Sequence, residues 1–446
     1  MTKGAITGCF EEAAISTGRG SIRGYPYHAE DPRIDLSWGK GLYSRCQPRK
    51  YPSLVPMTEL APEKGHGSMQ SEVKPAEHHR KRIPLGSPVI DEEMKHAALS
   101  ALDEKLVMGE SVYKFEDEFA RFCGTKFAVS TASGTAALSI ALQSMGIGYG
   151  SQVVTTPFSF IATANAVVHT GAEPTFADVE DHGMNLSPKK TRTKITEKTR
   201  AIIPVHLYGH IAAIDEFHEI AEEKNLRIVE DACQAHGAEV KGRKVGSIGD
   251  AGCFSFYPAK NMTVGGDGGM ITTNDEEVAE AARSIRDCGR DKNSKYYMGR
   301  IGYTSRLNTV NAAIGRIQLR KLAAWNEARR RLSALYRKEL GNVAGLVLPP
   351  EDKAGEKAVY HLFVIRSNAR EKVRKHLEIS GIETGVHYPV PIHLQVPYRN
   401  SYGYSEGAYP YSEQLSNEVL SLPMYPTLAE DQVVTICNSV KESLKQ

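Results

Sequence analysis

The stretch Asp250–Asp275, DAGCFSFYPAKNMTVGGDGGMITTND, decides how the rest of the chain is read. CFSFY is rich in aromatics and predicts a buried strand. GGDGG carries too little side chain for regular structure and predicts a tight loop, after which MITT restarts a strand. One lysine, Lys260, stands between the two apolar runs. At a strand end, beside glycines that let backbone come close, burial and neighbouring cations lower an amine's pKa, so that the free base can attack a carbonyl. Lys260 is therefore the candidate Schiff-base lysine, against the alternative of a surface lysine in a hairpin.

Upstream of this stretch, strand and helix patterns alternate. KFAVSTAS, SQVVTTP, PTFADV, RAIIPVHLYG and LRIVED read as strands; SGTAALSIALQSMG, SFIATANAVVHTGA and IDEFHEIAEEKN read as helices between them. Two more helical patterns precede them, Asp91–Leu106 and Lys114–Phe122. Such alternation predicts an α/β fold with a mainly parallel sheet and helices on both faces. Downstream, a long helical pattern runs from Asn308 to about Leu340. Residues 346–446 mix the strand-like YHLFVIR, the Pro- and His-rich GVHYPVPIHLQVPY and a final amphipathic helix, the pattern of a smaller α+β domain. The expected organisation is a basic N-terminal extension over 1–82, a large α/β domain over 83–325 and a small α+β domain over 326–446.

Bulk composition narrows the function classes. At 41% hydrophobic and 24% charged, the chain reads as an ordinary globular protein. A net charge of +2 gives no reason to expect nucleic acid or an anionic membrane as partner. No apolar run is long enough to span a bilayer, and no signal core opens the chain. The seven cysteines are scattered without a CxxC pair, which points to reduced thiols in a cytoplasmic setting and to no metal site. Residues 1–82 hold 13 Lys+Arg against 9 Asp+Glu, and are rich in Gly, Pro and Tyr with few aliphatic runs, the composition of a disordered extension.

Four further parts gather around Lys260. Ser133-Gly134-Thr135 joins a strand to a helix, where free N–H groups and the positive dipole end suit a phosphate; Gly134 lets backbone approach and Thr135 adds a hydroxyl. Phe160 follows a strand at the carboxyl edge of the sheet and can stack on a flat ring, whereas Phe158 reads as a core aromatic. Asp231 ends LRIVED at the same edge, where a carboxylate can hold a pyridine nitrogen protonated. Gln234, three residues on, can reach a ring hydroxyl, and Ser255 can direct its own hydroxyl at the phosphate. Each part has a structural alternative: a helix cap, a core ring, an N-cap carboxylate, a packed strand serine. Their order on an alternating sheet points to pyridoxal phosphate.

SGTAAL, PFSFIATANAVVHTGAEPTFADV, VEDACQAHGA, GDAGCFSFYPAKN, GGDGGMITTND, GYTSRLNTVNAAIGRIQL and GVHYPVPIHLQ together closely resemble the DegT/DnrJ/EryC1/StrS family, over about residues 83–446. The resemblance implies the type I fold of pyridoxal phosphate enzymes, with the cofactor joined to Lys260, Asp231 on its ring nitrogen and Gln234 near its hydroxyl. It also implies Phe160 stacked on the ring and Gly134, Thr135 and Ser255 at the phosphate. The implied activity is transfer of an amino group from glutamate or glutamine to a keto-sugar nucleotide, a 3-keto sugar foremost. Family members with histidine in place of the lysine are dehydratases, so Lys260 favours transamination. The family further implies a homodimer in which GYTSRLN reaches the partner's cofactor; Thr304 stands where asparagine is usual, and Asn311 where glutamine is. Arg306, His387, Tyr388 and His393 are the candidate sugar-contacting residues, with Tyr296 and Tyr297 beside them. Alternatives are a non-nucleotide cyclic ketone of inosose or aminoshikimate type, a sugar dehydratase, or a non-catalytic sensor on the same fold.

Overall fold

The computed structural model describes residues 82–445 apart from residues 182 and 293; the extension expected over 1–82 lies, but for Arg82, outside the described residues. The strands are β1 (Phe127–Thr131), β2 (Gln152–Thr155), β3 (Glu173–Phe176), β4 (Thr199–Ile203), β5 (Arg227–Asp231), the short β6 (Glu239–Val240) and β7 (Arg243–Lys244), β8 (Ala251–Ser255), β9 (Gly269–Thr273), β10 (Glu356–Lys357), β11 (Phe363–Arg366) and β12 (Val419–Leu422). Seven of them form one sheet in the order β1-β9-β8-β5-β4-β2-β3.

β3, β2, β4, β5 and β8 pair in parallel, and β9 runs antiparallel to both β8 and β1. All strands of this sheet but β9 therefore point one way, and Thr131, Asp231 and Ser255, the last residues of β1, β5 and β8, meet on one edge. Successive side chains serve opposite faces of a strand. Cys253 and Ile271 join Leu138, Val153 and Val229 in one core cluster, while Phe254 and Met270 join Phe115, Phe119 and Phe256 in another. Both faces are covered, which is why these strands read as apolar runs rather than as alternation.

The long helix Thr309–Leu340 starts where Asn308 caps it, the side chain accepting from the Asn311 N–H at 2.8 Å. It passes the 325/326 boundary expected from sequence without a break. Ala312, Leu319 and Leu322 pack into the aromatic cluster of the sheet; Leu332, Tyr336 and Leu340 pack into a separate core with Phe363, Leu377, Leu422 and Ile436. That second core belongs to the antiparallel pair β11–β12 and the helices Arg370–Ile379 and Glu430–Lys445, the smaller α+β part. Tyr336 and Phe363 stack there with ring centroids 4.6 Å apart.

Some elements are shorter than their patterns. SFIATANAVVHTGA forms a helix only over Ala162–His169, leaving Phe160 in the turn before it. RAIIPVHLYG stops as a strand at Ile203, since Pro204 has no N–H to continue the ladder. Among the described residues no helix is long and apolar enough to cross a membrane.

Candidate active site

The carboxyl edge of the sheet holds a cavity of about 290 Å³. Gly134, Thr135, Phe160, Asp231, Gln234, Ser255 and Lys260 all line it, together with His387 and Tyr388. They arrive from several segments far apart in the chain. Gly134 and Thr135 open the helix Gly134–Ser144, whose N-cap is Ser133, accepting from the Ala136 N–H at 3.1 Å. The remaining N–H groups of that first turn are available for an anion. Close packing fixes the glycines here. A Cβ on Gly134 would stand 2.6 Å from the Ser255 Cβ, and one on Gly269 would stand 2.3 Å from the Ser133 carbonyl oxygen.

Asp231 is buried, and both of its oxygens are oriented. The Thr163 hydroxyl donates to Oδ2 at 2.7 Å and the Cys233 N–H to Oδ1 at 3.2 Å. Phe160 leaves 53% of its surface exposed, an unusual amount for a phenylalanine beside a buried carboxylate, and its ring lies 5.9 Å from that of Tyr388. Gln234 is held at both ends of its amide: Oε1 accepts from the Tyr208 N–H at 2.8 Å, and Nε2 donates to the Tyr388 hydroxyl at 3.3 Å. Tyr208 in turn donates its hydroxyl to the His387 carbonyl, so the His387–Tyr388 segment is tied over the cavity.

Lys260 lies in the loop between β8 and β9, its N–H bonded to the Tyr257 carbonyl at 2.8 Å. Burial pushes its amine below the ordinary lysine range, opposed in part by the negative charge that Cys233 and Asp231 can carry. The imidazoles nearby are held neutral: burial and the Lys260 charge lower His387 to about 4 and His236 to about 3. Lowering the amine's pKa increases the share of free base available to take a proton at a given pH.

Three expected residues stand apart from this cavity. Thr304 bridges Asp287 and lies 3.3 Å from the Cys288 sulfur; Arg306 pairs with Asp287 and lines a different hollow of about 840 Å³. His393 is buried, with Nε2 3.0 Å from Glu413 and its ring against Tyr409 at 4.7 Å, so within this chain it faces protein and not the cavity. Tyr296 and Tyr297 are exposed, and Phe158 is fully buried in the core. Sequence reading did not single out Thr163, Cys233, Asp267 or His361, which also line the cavity.

The residues present fit pyridoxal phosphate. The cavity lining offers a helix N-terminus and hydroxyls that suit an anionic group, an open aromatic face that suits a flat ring, a buried carboxylate that suits a ring nitrogen and an amine that suits an aldehyde. A profile of the DegT/DnrJ/EryC1/StrS aminotransferase family matches residues 88–441. The chain belongs to this family. It is therefore a pyridoxal phosphate-dependent aminotransferase. A pleiotropic regulatory protein of Geobacillus stearothermophilus is 40% identical over 369 residues, covering 80% of this chain and 98% of that protein. The dTDP-3-amino-3,4,6-trideoxy-alpha-D-glucose transaminase of Streptomyces venezuelae is 40% identical over 338 residues, 76% of this chain and 88% of the enzyme. The UDP-N-acetyl-3-dehydro-alpha-D-glucosamine 3-aminotransferase of Acidithiobacillus ferrooxidans is 39% identical over 359 residues, 80% and 95% of the two chains. Among solved structures, S. venezuelae DesV in complex with a ketimine intermediate superposes with a TM-score of 0.78 at 38% identity, over 82% of this chain and 99% of DesV.

Proposed function

We propose that this aminotransferase carries an amino group from glutamate or glutamine to the keto carbon of a keto-sugar nucleotide, with a 3-keto sugar as its acceptor. The observation that carries the reading is the convergence of the Lys260 amine, the Asp231 carboxylate and the Gly134 helix N-terminus on one cavity. Support for the acceptor comes from two relatives at about 40% identity whose names place the new nitrogen on carbon 3 of a sugar nucleotide.

When bound, pyridoxal phosphate would supply an electron sink for the carbon that loses its proton. Asp231 would hold a proton on the ring nitrogen, with Thr163 and the Cys233 N–H keeping both carboxylate oxygens in place. Lys260, its amine already below the ordinary lysine range, would take and return the proton at the reacting carbon. Gly134, Thr135 and Ser255 would receive the phosphate and Phe160 the ring face. Gln234, fixed by Tyr208, would lie along the ring hydroxyl. His387 and Tyr388 would meet the sugar; His387 is held by Ser421, whose hydroxyl lies 2.8 Å from Nδ1. Thr304 and Arg306 would serve a neighbouring subunit's site in a homodimer, Arg306 by pairing with a diphosphate.

Incubating the enzyme with glutamate or glutamine and a panel of 3-keto and 4-keto sugar nucleotides, read by mass spectrometry, tests this. The expected product carries nitrogen at carbon 3 and appears with the keto acid of the donor; Lys260→Ala should form none. Nitrogen at carbon 4 would overturn the acceptor assignment, and turnover by Lys260→Ala at the parent rate would overturn the role of Lys260.

A further inference from the structure

Asn261, the residue after Lys260, is buried, and its side chain is fully committed. Its Nδ2 donates to the Val359 carbonyl and to Asn326 Oδ1, each at 3.0 Å. Asn326 Nδ2 passes the chain on to the His236 carbonyl at 2.8 Å. Asn261 Oδ1 lies 3.2 Å from His361 Nδ1. Because the Asn261 nitrogen donates twice, its oxygen faces His361 and can only accept, so the His361 proton sits on Nδ1. Burial and the positive charges of Lys260 and Arg329 keep His361 well below its ordinary pKa, so the ring is neutral and Nε2 carries a lone pair. Four segments are thus laced together behind the lysine: the loop after β5, the Lys260 loop, the long helix and the approach to β11.

We propose that His361 is a positioning residue for Lys260, acting through the hydrogen bond its Nδ1–H donates to Asn261. This rests on the reading of Lys260 as the cofactor-linked lysine. The Lys260 loop has no regular structure, and the glycines that follow offer little side chain to pack. Asn261 is its buried anchor, and His361 is the donor to the Asn261 oxygen. Without that donor a buried amide oxygen is left unsatisfied, and the loop must shift or admit water. The titratable and charged groups that face Lys260 come from every surrounding element: Asp231 at the end of β5, Cys233 and His236 after it, Tyr257 and Asp267 on its own loop, His361 before β11, and His387 and Tyr388 beyond it. Burial is the largest cause that lowers the Lys260 nitrogen, so a shift of the loop that opens it further to water favours the protonated form and raises its midpoint.

The test is a spectral pH titration of the visible band of the full-length enzyme carrying pyridoxal phosphate. Asparagine reproduces the donor at the Nδ1 position; glutamine reaches the Nε2 position and does not. His361→Ala and Asn261→Ala should each raise the midpoint by about one pH unit, roughly tenfold in proton affinity. The double variant should add nothing further, since the two residues act as one unit. His361→Asn should keep the parent midpoint. An unchanged midpoint in His361→Ala would overturn the proposal, as would an equal rise in His361→Asn. If His361→Ala does not fold, comparing His361→Asn with His361→Gln decides: the parent midpoint in the first and a raised one in the second is expected, and the reverse overturns it. A parent enzyme without the band would overturn the reading of Lys260 itself, a result distinct from a band whose midpoint ignores His361.

Discussion

At the scale of single residues, the site depends on which charges are allowed near the Lys260 amine. Asp231 is the one buried carboxylate among the residues lining the cavity, and each of its oxygens is oriented by one donor, Thr163 or the Cys233 N–H. Asp231→Asn would present an amide to those same donors and could not stabilise a protonated pyridine nitrogen as a carboxylate does. The variant is expected to keep its cofactor and lose about 10²-fold or more in turnover, the scale seen when one preorganised electrostatic group is removed. Single-turnover kinetics with the amino donor measure this; a rate within a few-fold of the parent would leave Asp231 as no more than a structural carboxylate. That Asp231, Ser255 and Gly134 would meet at one cavity was legible in the sequence because each ends a strand or starts a helix, and the edge of an open sheet gathers such ends; Lys260 joins them from the loop that follows β8. His361 was not, since its partner Asn261 lies 100 residues away along the chain and nothing local marks the pairing. Thr163 and Cys233 were hidden for a similar reason: a threonine in a helix and a cysteine after a strand acquire a role only when Asp231 is placed between them.

At the scale of elements, the alternation of apolar runs and helical patterns was enough to predict a sheet covered on both faces. The antiparallel entry of β9 follows from the Lys260 loop, which returns the chain to pair beside β8 with Ser255 opposite Gly269. Less legible were the breaks inside patterns, such as the strand that ends before Pro204 and the helix that forms only after Phe160. The helix Gly134–Ser144 packs on the sheet through Leu138, Ile140 and Leu142, and at its first residue the approach is close enough to permit no side chain. Gly134→Ala would push a methyl to 2.6 Å from the Ser255 Cβ and 2.9 Å from the Cys233 sulfur. Overpacking of this kind costs about 1–3 kcal/mol. Here it should also displace the first-turn N–H groups from an anion. Thermal unfolding with and without added pyridoxal phosphate separates the two effects: the variant should be less stable and should gain less from the cofactor than the parent does. An undiminished gain would remove this helix N-terminus from the phosphate site.

At the scale of the whole molecule, one segment exposes several large apolar side chains. Between the helix Glu276–Arg286 and the helix Thr309–Leu340, an excursion turns back on itself, with Arg290 bridged to Met298 and the Asp291 N–H bonded to the Tyr297 carbonyl at 3.0 Å. Its apolar side chains face outward: Tyr296 is 83% exposed, Tyr297 66% and Ile301 94%. Aromatic and aliphatic groups gathered on one projecting segment are the composition of an interface centre rather than of a solvated loop. The same segment leads to Thr304 and Arg306, which lie outside the Lys260 cavity of their own chain. We predict a homodimer in which this arm packs on the second copy and each site is completed across the interface. Sedimentation equilibrium of the parent should give twice the chain mass, while Tyr297→Asp with Ile301→Asp should give monomers that fold but turn over poorly. Activity should return in a mixture of that monomer with a Lys260→Ala chain, because the Lys260→Ala chain brings an intact arm to the other's intact lysine. A monomeric parent at full turnover, or a mixture that stays inactive while it dimerises, would sink the shared site.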